Sequence, residues 1–242
     1  MHLRRFFARR ALRIQAGILA TSTWVNRTGS PGLPVGNWRS VCWSPELSLF
    51  VAVAYGGTYA CETSPDGINW TSRTGLPVAN WFSVCWSPEL GMFVAVSNGG
   101  TYSCETSPDG INWTSRTGLP IAYWQSVCWS PELGMFVAVS YSGTYSCATS
   151  TDGINWTNRT GSPGLPVGVW GSVCWSPELG MFVAVSYSGT YSCATSPDGI
   201  NWTTRAGLPI GNWYSICWSP ELGMFVAVSY TGTYACETSR MA

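Results

Sequence analysis

The chain has 242 residues, a formal net charge of zero and charged side chains at only 10% of its positions. Such a charge balance excludes a long-range field that would draw nucleic acid or an acidic membrane to the bulk of the chain. Ten cysteines are present, but the single histidine is His2 and no C-x-x-C motif occurs. A Ser-His-Asp set and the common zinc motifs are thereby excluded, and we expect no cofactor and no bound metal.

Residues 1–20 predict a basic amphipathic leader helix, because apolar residues recur every three or four positions with arginines on the opposite side. The apolar stripe consists of Leu3, Phe7, Ala11, Ile14 and Ile18, and the facing arginines are Arg5, Arg9 and Arg13. Three interpretations stay open: an organelle-import presequence of the mitochondrial kind, which we favour slightly, a helix that contacts a membrane or a partner subunit, and a helix packed on the rest of the protein.

From about Trp24 onward, the sequence consists of five near-copies of one unit. The unit takes 46 residues from Trp24 to Trp70 and 43 residues from Trp70 to Trp113. Self-similarity at this period predicts a β-propeller, in which each small sheet buries its faces only when neighbouring sheets stack on it. Three tryptophans in every unit predict aromatic layers between the sheets. We therefore expect a leader at residues 1–20 and an all-β, five-bladed propeller at residues 21–242.

Each unit predicts four short strands, a to d, joined by tight turns into an antiparallel meander. In the second unit these strands are expected at residues 81–87, 92–97, 101–107 and 111–117. The intervening segments S-P-E-L-G, N-G-G and S-P-D-G carry the residues that tight turns require. Strand b is apolar almost throughout, as in M-F-V-A-V, which is typical of a strand buried on both faces.

The turn between strands c and d carries a recurrent motif. S-P-D-G-I-N-W begins at Ser64, Ser107 and Ser196, and S-T-D-G-I-N-W begins at Ser150. These segments resemble the Asp-box of sialidase-type propellers. The resemblance implies that the aspartate caps the turn and that the tryptophan packs beneath it. The structural aspartates would then be Asp66, Asp109, Asp152 and Asp198.

The same resemblance sets a test for catalysis. A sialidase-type site would need an arginine cluster, a tyrosine nucleophile and carboxylates, each placed once. In this sequence the arginine of W-T-x-R and the glutamate of S-P-E-L are copied from unit to unit. Residues repeated at one turn are typical of a structural role, and we therefore expect no enzyme activity.

The two ends of the repeat region complement each other. The sequence ends just after Cys236–Ser239, where a fifth Asp-box would begin, and it enters the repeats at Trp24–Thr28, a strand d without its own strands a, b and c. We predict that the N-terminal strand completes the last blade and closes the ring. Such an exchange pairs an edge that would otherwise be exposed.

The ten cysteines fall into five pairs, with one member on strand a and one on strand c of each unit. Strand b separates the two, so their backbones lie about 9.5 Å apart, beyond the reach of a disulfide. A disulfide from strand c of one blade to strand a of the next stays open as an alternative. We favour buried free thiols that act as small apolar groups.

Differences among the five units predict where a ligand would bind. They concentrate just before strand a and in the b–c hairpin, which emerge on the same face of a four-stranded meander. The residue types there are typical of recognition surfaces, although drift in tolerant loops is the alternative. The candidate binding residues are Asn37, Arg39, Tyr55, Asn80, Phe82, Asn98, Tyr123, Gln125, Tyr141, Tyr187, Asn212, Tyr214 and Tyr230.

Together these patterns predict a non-catalytic binding or scaffold module. It would recognise a protein partner or a glycan through the variable rim, or act as an accessory subunit attached through residues 1–20 to a membrane or a partner. One alternative is a multivalent lectin with five shallow pockets whose weak affinities add. The other is a sialidase-like glycoside hydrolase. We expect no nucleic-acid partner.

Overall fold

The computed structural model describes residues 24–142 and 144–239. Within these residues the protein is all-β, with 19 strands in five antiparallel sheets and no helix. The predicted leader helix at residues 1–20 lies outside the described residues. No helix among the described residues is long and apolar enough to cross a membrane.

Each sheet is one repeat unit folded as a meander, and we refer to the sheets as blades 1 to 5. Blades 1 to 4 have four strands each and blade 5 has three. Blade 1 contains β1 (Trp38–Ser44), β2 (Leu49–Ala54), β3 (Cys61–Ser64) and β4 (Thr71–Arg73). Blade 2 contains β5 (Trp81–Ser87), β6 (Met92–Ser97), β7 (Cys104–Ser107) and β8 (Thr114–Arg116).

The remaining blades repeat this order. Blade 3 contains β9 (Trp124–Ser130), β10 (Met135–Ser142), β11 (Tyr145–Ser150) and β12 (Thr157–Asn158). Blade 4 contains β13 (Val169–Ser176), β14 (Met181–Ser188), β15 (Cys193–Ser196) and β16 (Thr203–Arg205). Blade 5 contains β17 (Trp213–Ser219), β18 (Met224–Ser229) and β19 (Cys236–Ser239).

Strands β5 and β6 occupy the predicted residues. Strand β7 begins at Cys104 rather than at residue 101, because the b–c hairpin is longer than predicted, and β8 begins at Thr114 rather than at residue 111, because the turn before it extends further. Asp109 Oδ1 accepts the backbone N–H groups of Ile111 and Asn112, both at 2.8 Å. The indole of Trp113 donates to the carbonyl oxygen of Gly110 at 3.2 Å. Pairing with β7 therefore resumes only at Thr114. The same network forms around Asp66, Asp152 and Asp198.

Strand b is buried on both faces, as predicted. In β6, Phe93 and Ala95 belong to the apolar cluster shared with blade 1, whereas Val94 and Val96 belong to the cluster shared with blade 3. All four side chains are fully buried. A blade therefore lacks a core of its own, since both faces of its second strand depend on neighbouring blades.

Two polar contacts recur at each of the four junctions from blades 1 and 2 to blades 4 and 5. The carboxylate of an S-P-E-L turn accepts the indole N–H of the next blade's strand a, at 2.7 Å in every case: Glu46–Trp86, Glu89–Trp129, Glu132–Trp175 and Glu178–Trp218. A backbone N–H near the axis also donates to a serine of the preceding blade, as from Val127 to Ser83 Oγ at 3.2 Å. The repeated glutamate thus forms a hydrogen bond between neighbouring blades. Its position in a turn of the sequence did not indicate this role.

The prediction that an N-terminal strand closes the ring is not met in the described residues. Blade 5 stops at three strands, residues 24–27 form no strand, and Trp24 is fully exposed. Val41 of blade 1 is 60% exposed, whereas the equivalent Val84 of blade 2 is 5% exposed. The N–H of Trp70 donates to the carbonyl oxygen of Pro31 at 2.8 Å, and the equivalent bond from Trp202 to Pro163 at 2.9 Å occurs where the preceding strand, β12, is paired. This contact is therefore compatible with pairing of the segment that precedes blade 1.

All ten cysteines are free thiols, and no disulfide joins the blades. Burial raises the pKa of Cys61 to about 12, and its sulfur lies 3.7 Å from the carbonyl oxygen of Gly110 in the next blade. Cys217 and Cys236 differ from their equivalents in being exposed. They are exposed because no further blade covers that side of blade 5.

The aspartate turns predict a dependence of stability on pH. Partial burial acts to raise the pKa of Asp152, but hydrogen bonds from Asn155 and Ile154 outweigh it and lower the pKa to about 2. Because the folded pKa lies below the unfolded value of about 3.9, the stabilisation is complete above pH 4 and is lost as the pH falls toward 2. Urea unfolding between pH 5 and pH 2 should show a smaller loss for Asp152→Asn than for the unchanged protein. Equal losses would contradict this assignment.

The Glu89–Trp129 contact predicts an energetic coupling between blades 2 and 3. Glu89→Gln, Trp129→Phe and the double variant form a cycle that isolates the pair. A hydrogen bond to a partly buried carboxylate should give a coupling free energy of about 1 kcal/mol in urea unfolding. A coupling near zero would mean that the apolar cluster alone holds the blades together.

Candidate functional site

The d–a connection and the b–c hairpin meet on one face of the blades, which we call the rim. Within blade 2, the N–H of Asn98 donates to the carbonyl oxygen of Asn80 at 2.8 Å. Between blades, the N–H of Gly99 donates to the carbonyl oxygen of Ala122 at 2.9 Å. The indole of each first strand-a tryptophan fixes the connection that precedes it, as in Trp81 to Pro77 at 2.8 Å. The rim is thus held by hydrogen bonds within and between blades.

Nine of the thirteen candidate residues line a single cavity of about 620 Å³ on the rim, which we call the rim cavity. They are Arg39, Phe82, Asn98, Tyr123, Gln125, Tyr141, Tyr187, Tyr214 and Tyr230. The other four lie one layer away. The backbone carbonyl oxygens of Asn37, Asn80 and Asn212 accept hydrogen bonds from the hairpins, and Tyr55 packs on Phe82.

Tyrosines form the largest part of the cavity wall. The ring of Tyr187 lies 5.3 Å from that of Tyr141, 6.5 Å from that of Tyr214 and 6.3 Å from that of Tyr230. Burial raises the pKa of Tyr141, and the neighbouring Tyr187 and Tyr214 raise it further. The Tyr141 phenol is therefore neutral at physiological pH and can donate a hydrogen bond.

Arg39 stands on the opposite wall, in β1. Its guanidinium lies 4.9 Å from the ring centre of Phe82 and 5.3 Å from that of Tyr55. Its single hydrogen bond within the described residues goes to the hydroxyl of Tyr214 at 3.3 Å. The aromatic faces position the cation, and within the described residues its hydrogen bond to Tyr214 uses one of its five N–H donors.

Below the rim cavity, a narrow polar channel of about 190 Å³ continues along the axis. All five inner strands contribute to its wall, including the serines Ser40, Ser83, Ser126, Ser172 and Ser215. Arg39, Phe82, Gln125 and Tyr214 line both spaces. These four residues hold the same position in their units, directly after the first tryptophan of strand a. The cavity opens into the channel at this position.

Acidic side chains are absent from the walls of both spaces as described. The twelve acidic residues of the protein occupy the S-P-E-L turns, the Asp turns and strand c. Arg39 is consequently the one charged residue among those that line the rim cavity. Within the described residues, no group of three or more metal-ligating side chains gathers.

Comparison of the units missed a second feature of the rim. One aliphatic side chain of each d–a connection is well exposed: Val35, Val78, Ile121, Val167 and Ile210. Their exposed fractions range from 59% for Val78 to 83% for Val35. Searching for differences among units could not find them, because Val or Ile stands there in all five. The signal that could have found them is an aliphatic residue directly after Leu-Pro in a connection.

No family model matches this chain, and no curated protein is similar to it at a significant level. The resemblance of its turns to the Asp-box therefore stays a resemblance. Solved structures do match its fold. A nidogen/laminin complex matches with a TM-score of 0.62 at 10% identity, covering 82% of this chain and 78% of the matched chain.

Two further matches are a GH74 xyloglucanase from Xanthomonas campestris and YCF48 bound to a D1 peptide. The xyloglucanase match has a TM-score of 0.63 at 13% identity and covers 79% of this chain but 34% of the enzyme. The YCF48 match has a TM-score of 0.54 at 16% identity and covers 85% of this chain and 67% of YCF48. The matched proteins are β-propellers, so the fold of this protein is a propeller.

Proposed function

We propose that this propeller is a non-catalytic binding module that holds a protein partner on its rim, with a segment of the partner inserted in the rim cavity. The observation that carries the proposal is the convergence of nine variable residues on one cavity. Tyrosine supplies large contact area at low entropic cost, and Asn98 and Gln125 can donate and accept hydrogen bonds. The sequence, which is otherwise repetitive, thus varies at the residues that would contact a ligand.

Two observations favour a protein over a glycan. Exposed aliphatic side chains stand in the connections of all five blades, and they gain from burial against apolar protein surface. A multivalent lectin would need five similar pockets, whereas the variable residues gather around one space near the axis. Two of the matched structures, the nidogen/laminin complex and YCF48 with a D1 peptide, are also propellers with protein or peptide partners.

The absence of catalysis belongs to the proposal. Most glycoside hydrolases need a carboxylate pair at the bound substrate, and the sialidase-type site described above, with its tyrosine nucleophile, also needs carboxylates. All acidic residues of this protein stand in turns or strands away from the rim cavity. The tyrosines and the arginine that do line it serve as contact and hydrogen-bonding groups.

A photocrosslinking experiment tests the partner class. A photoreactive phenylalanine analogue replaces Tyr187 in the rim cavity, or replaces Leu90 in an a–b turn on the opposite face as the control. In an extract of cells that make the protein, we expect crosslinks to a defined polypeptide from position 187 and none from position 90.

Crosslinking that is equal at both positions would contradict the proposal. Absence of crosslinks, together with binding to an array of immobilised glycans that Tyr187→Ala abolishes, would move the function to the glycan class. Tyr187→Phe separates the contribution of the ring from that of its hydroxyl.

We further infer that the N-terminal strand can complete blade 5, since the strand d position of that blade is unfilled. In blades 1 to 4, the residue just before strand d is a tryptophan whose ring lies 6.3 to 6.5 Å from that of the strand-b phenylalanine. Three residues after this tryptophan, an arginine donates to a strand-c threonine, as Arg116 does to Thr106 at 2.9 Å. Blade 5 offers Phe225 and Thr238 without these partners.

Residues 24–27 carry the missing groups in the right order. Trp24 precedes Trp38 by 14 residues, the same interval that separates Trp156 from Trp170. Pairing in the register of the other blades would set Trp24 against Phe225 and Arg27 against Thr238. Closure matters for binding because Arg39 and Tyr214, which hydrogen bond to each other and both line the rim cavity, come from the first and last blades.

Thiol labelling tests closure. In a closed ring blade 1 covers Cys217 and Cys236, just as blade 2 covers Cys61, whereas in the open ring both react with a maleimide. We expect slow labelling of both thiols in the full-length protein and after deletion of residues 1–20. Deletion of residues 1–28 should expose both thiols and lower the melting temperature or cause oligomerisation. Rapid labelling of the full-length protein, or equal melting of the two truncations, would contradict closure.

A further inference from the structure

The rim cavity is lined by one positively charged side chain and by no negatively charged one. This charge indicates the chemical class of a ligand. The guanidinium of Arg39 lies beside the rings of Tyr55 and Phe82 and one phenol hydroxyl, that of Tyr214. No carboxylate lines the cavity, although the protein has as many acidic as basic residues. The protein thus presents a lone positive charge inside an aromatic wall.

An arginine in such a place is suited to a carboxylate. The guanidinium is a planar fork whose parallel N–H donors match the two oxygens of a carboxylate. Its hydrogen bond to Tyr214 uses one donor and leaves the others for a ligand. Arg39 is exposed, so its remaining N–H donors are accessible to an incoming anion.

The other residues that line the cavity indicate which chemical groups would lie next to the carboxylate in a ligand. Tyr141 and Tyr187 offer ring surface for an aromatic or aliphatic side chain. The amides of Asn98 and Gln125 can donate to a peptide carbonyl oxygen and accept a peptide N–H. A volume of about 620 Å³ falls within the range that holds a small ligand or a short stretch of peptide.

We propose that the rim cavity binds a short peptide segment whose carboxylate pairs with Arg39 and whose neighbouring apolar side chain packs on the tyrosines. The carboxylate comes from the C-terminus of the partner polypeptide or from one of its Asp or Glu side chains. This inference rests on the proposed binding of a protein partner and adds the chemical class of the bound segment.

The test uses one set of random hexapeptides in three forms: a free C-terminal carboxylate, a C-terminal amide, and a C-terminal amide with one internal Glu. None of the six random positions carries Asp or Glu except in the third form. We expect the intact protein to bind the first or the third form and to reject the plain amide. The form that binds identifies the source of the carboxylate.

Three arginine variants then locate the contact. Arg39→Gln should weaken binding by on the order of tenfold or more, because it removes one partner of a charge-assisted pair. Arg39→Lys should weaken it less, since it keeps the charge but loses the fork. Arg116→Gln, whose arginine lies on the outer strand of blade 2, is the matched control and should bind as the unchanged protein does. Melting curves confirm that each variant is folded.

The outcomes separate this inference from the function on which it rests. Equal binding of acid and amide forms, unaffected by Arg39→Gln but abolished by Tyr187→Ala, overturns the carboxylate proposal and leaves the peptide-binding function standing. Failure of all three forms to bind overturns the carboxylate proposal as well. If photocrosslinking from position 187 also finds no polypeptide, the proposed function fails with it.

Discussion

Burial of strand b on both faces is the constraint on which the structure depends. Phe93 faces one neighbour and Val94 faces the other, so a blade by itself would leave half of its apolar strand in water. Stability therefore resides in the junctions between blades, where an apolar cluster, a Glu–indole bond and a serine–backbone bond act together. Val41 on blade 1 shows the consequence, since it is exposed where the junction is missing.

Much of this architecture could be predicted from the sequence, because the same constraint acts on every unit. The apolar run M-F-V-A-V and the period of 43 to 46 residues indicated strands sandwiched between blades, and the bounds of β5 and β6 were predicted to the residue. The turn after β7 was underestimated. Its length depends on how many N–H groups Asp109 satisfies, which a pattern of residue types does not state.

Closure of the ring is the part of the prediction that the described residues do not show. Matching Trp24 to the other tryptophans that precede strand d is a comparison of residue types, and it does not determine the path of the backbone there. The role of Glu89 was likewise hidden, since its indole partner lies 40 residues away in the next blade. The candidate rim residues could be found because variation among units shows where identical scaffolds differ, but their convergence on one cavity depends on how the inner strands surround the axis.

The position of the rim cavity links binding to the state of the ring. Arg39 belongs to the first blade and Tyr214 to the last, and these two blades form no apolar cluster with each other in the described residues. A ligand that contacts both residues binds the closed arrangement more tightly than a splayed one. By linkage, such a ligand stabilises the junction by the same free energy that closure adds to its affinity. In the proposed function, recognition and ring closure are therefore coupled, because the first and last blades both supply residues to the rim cavity.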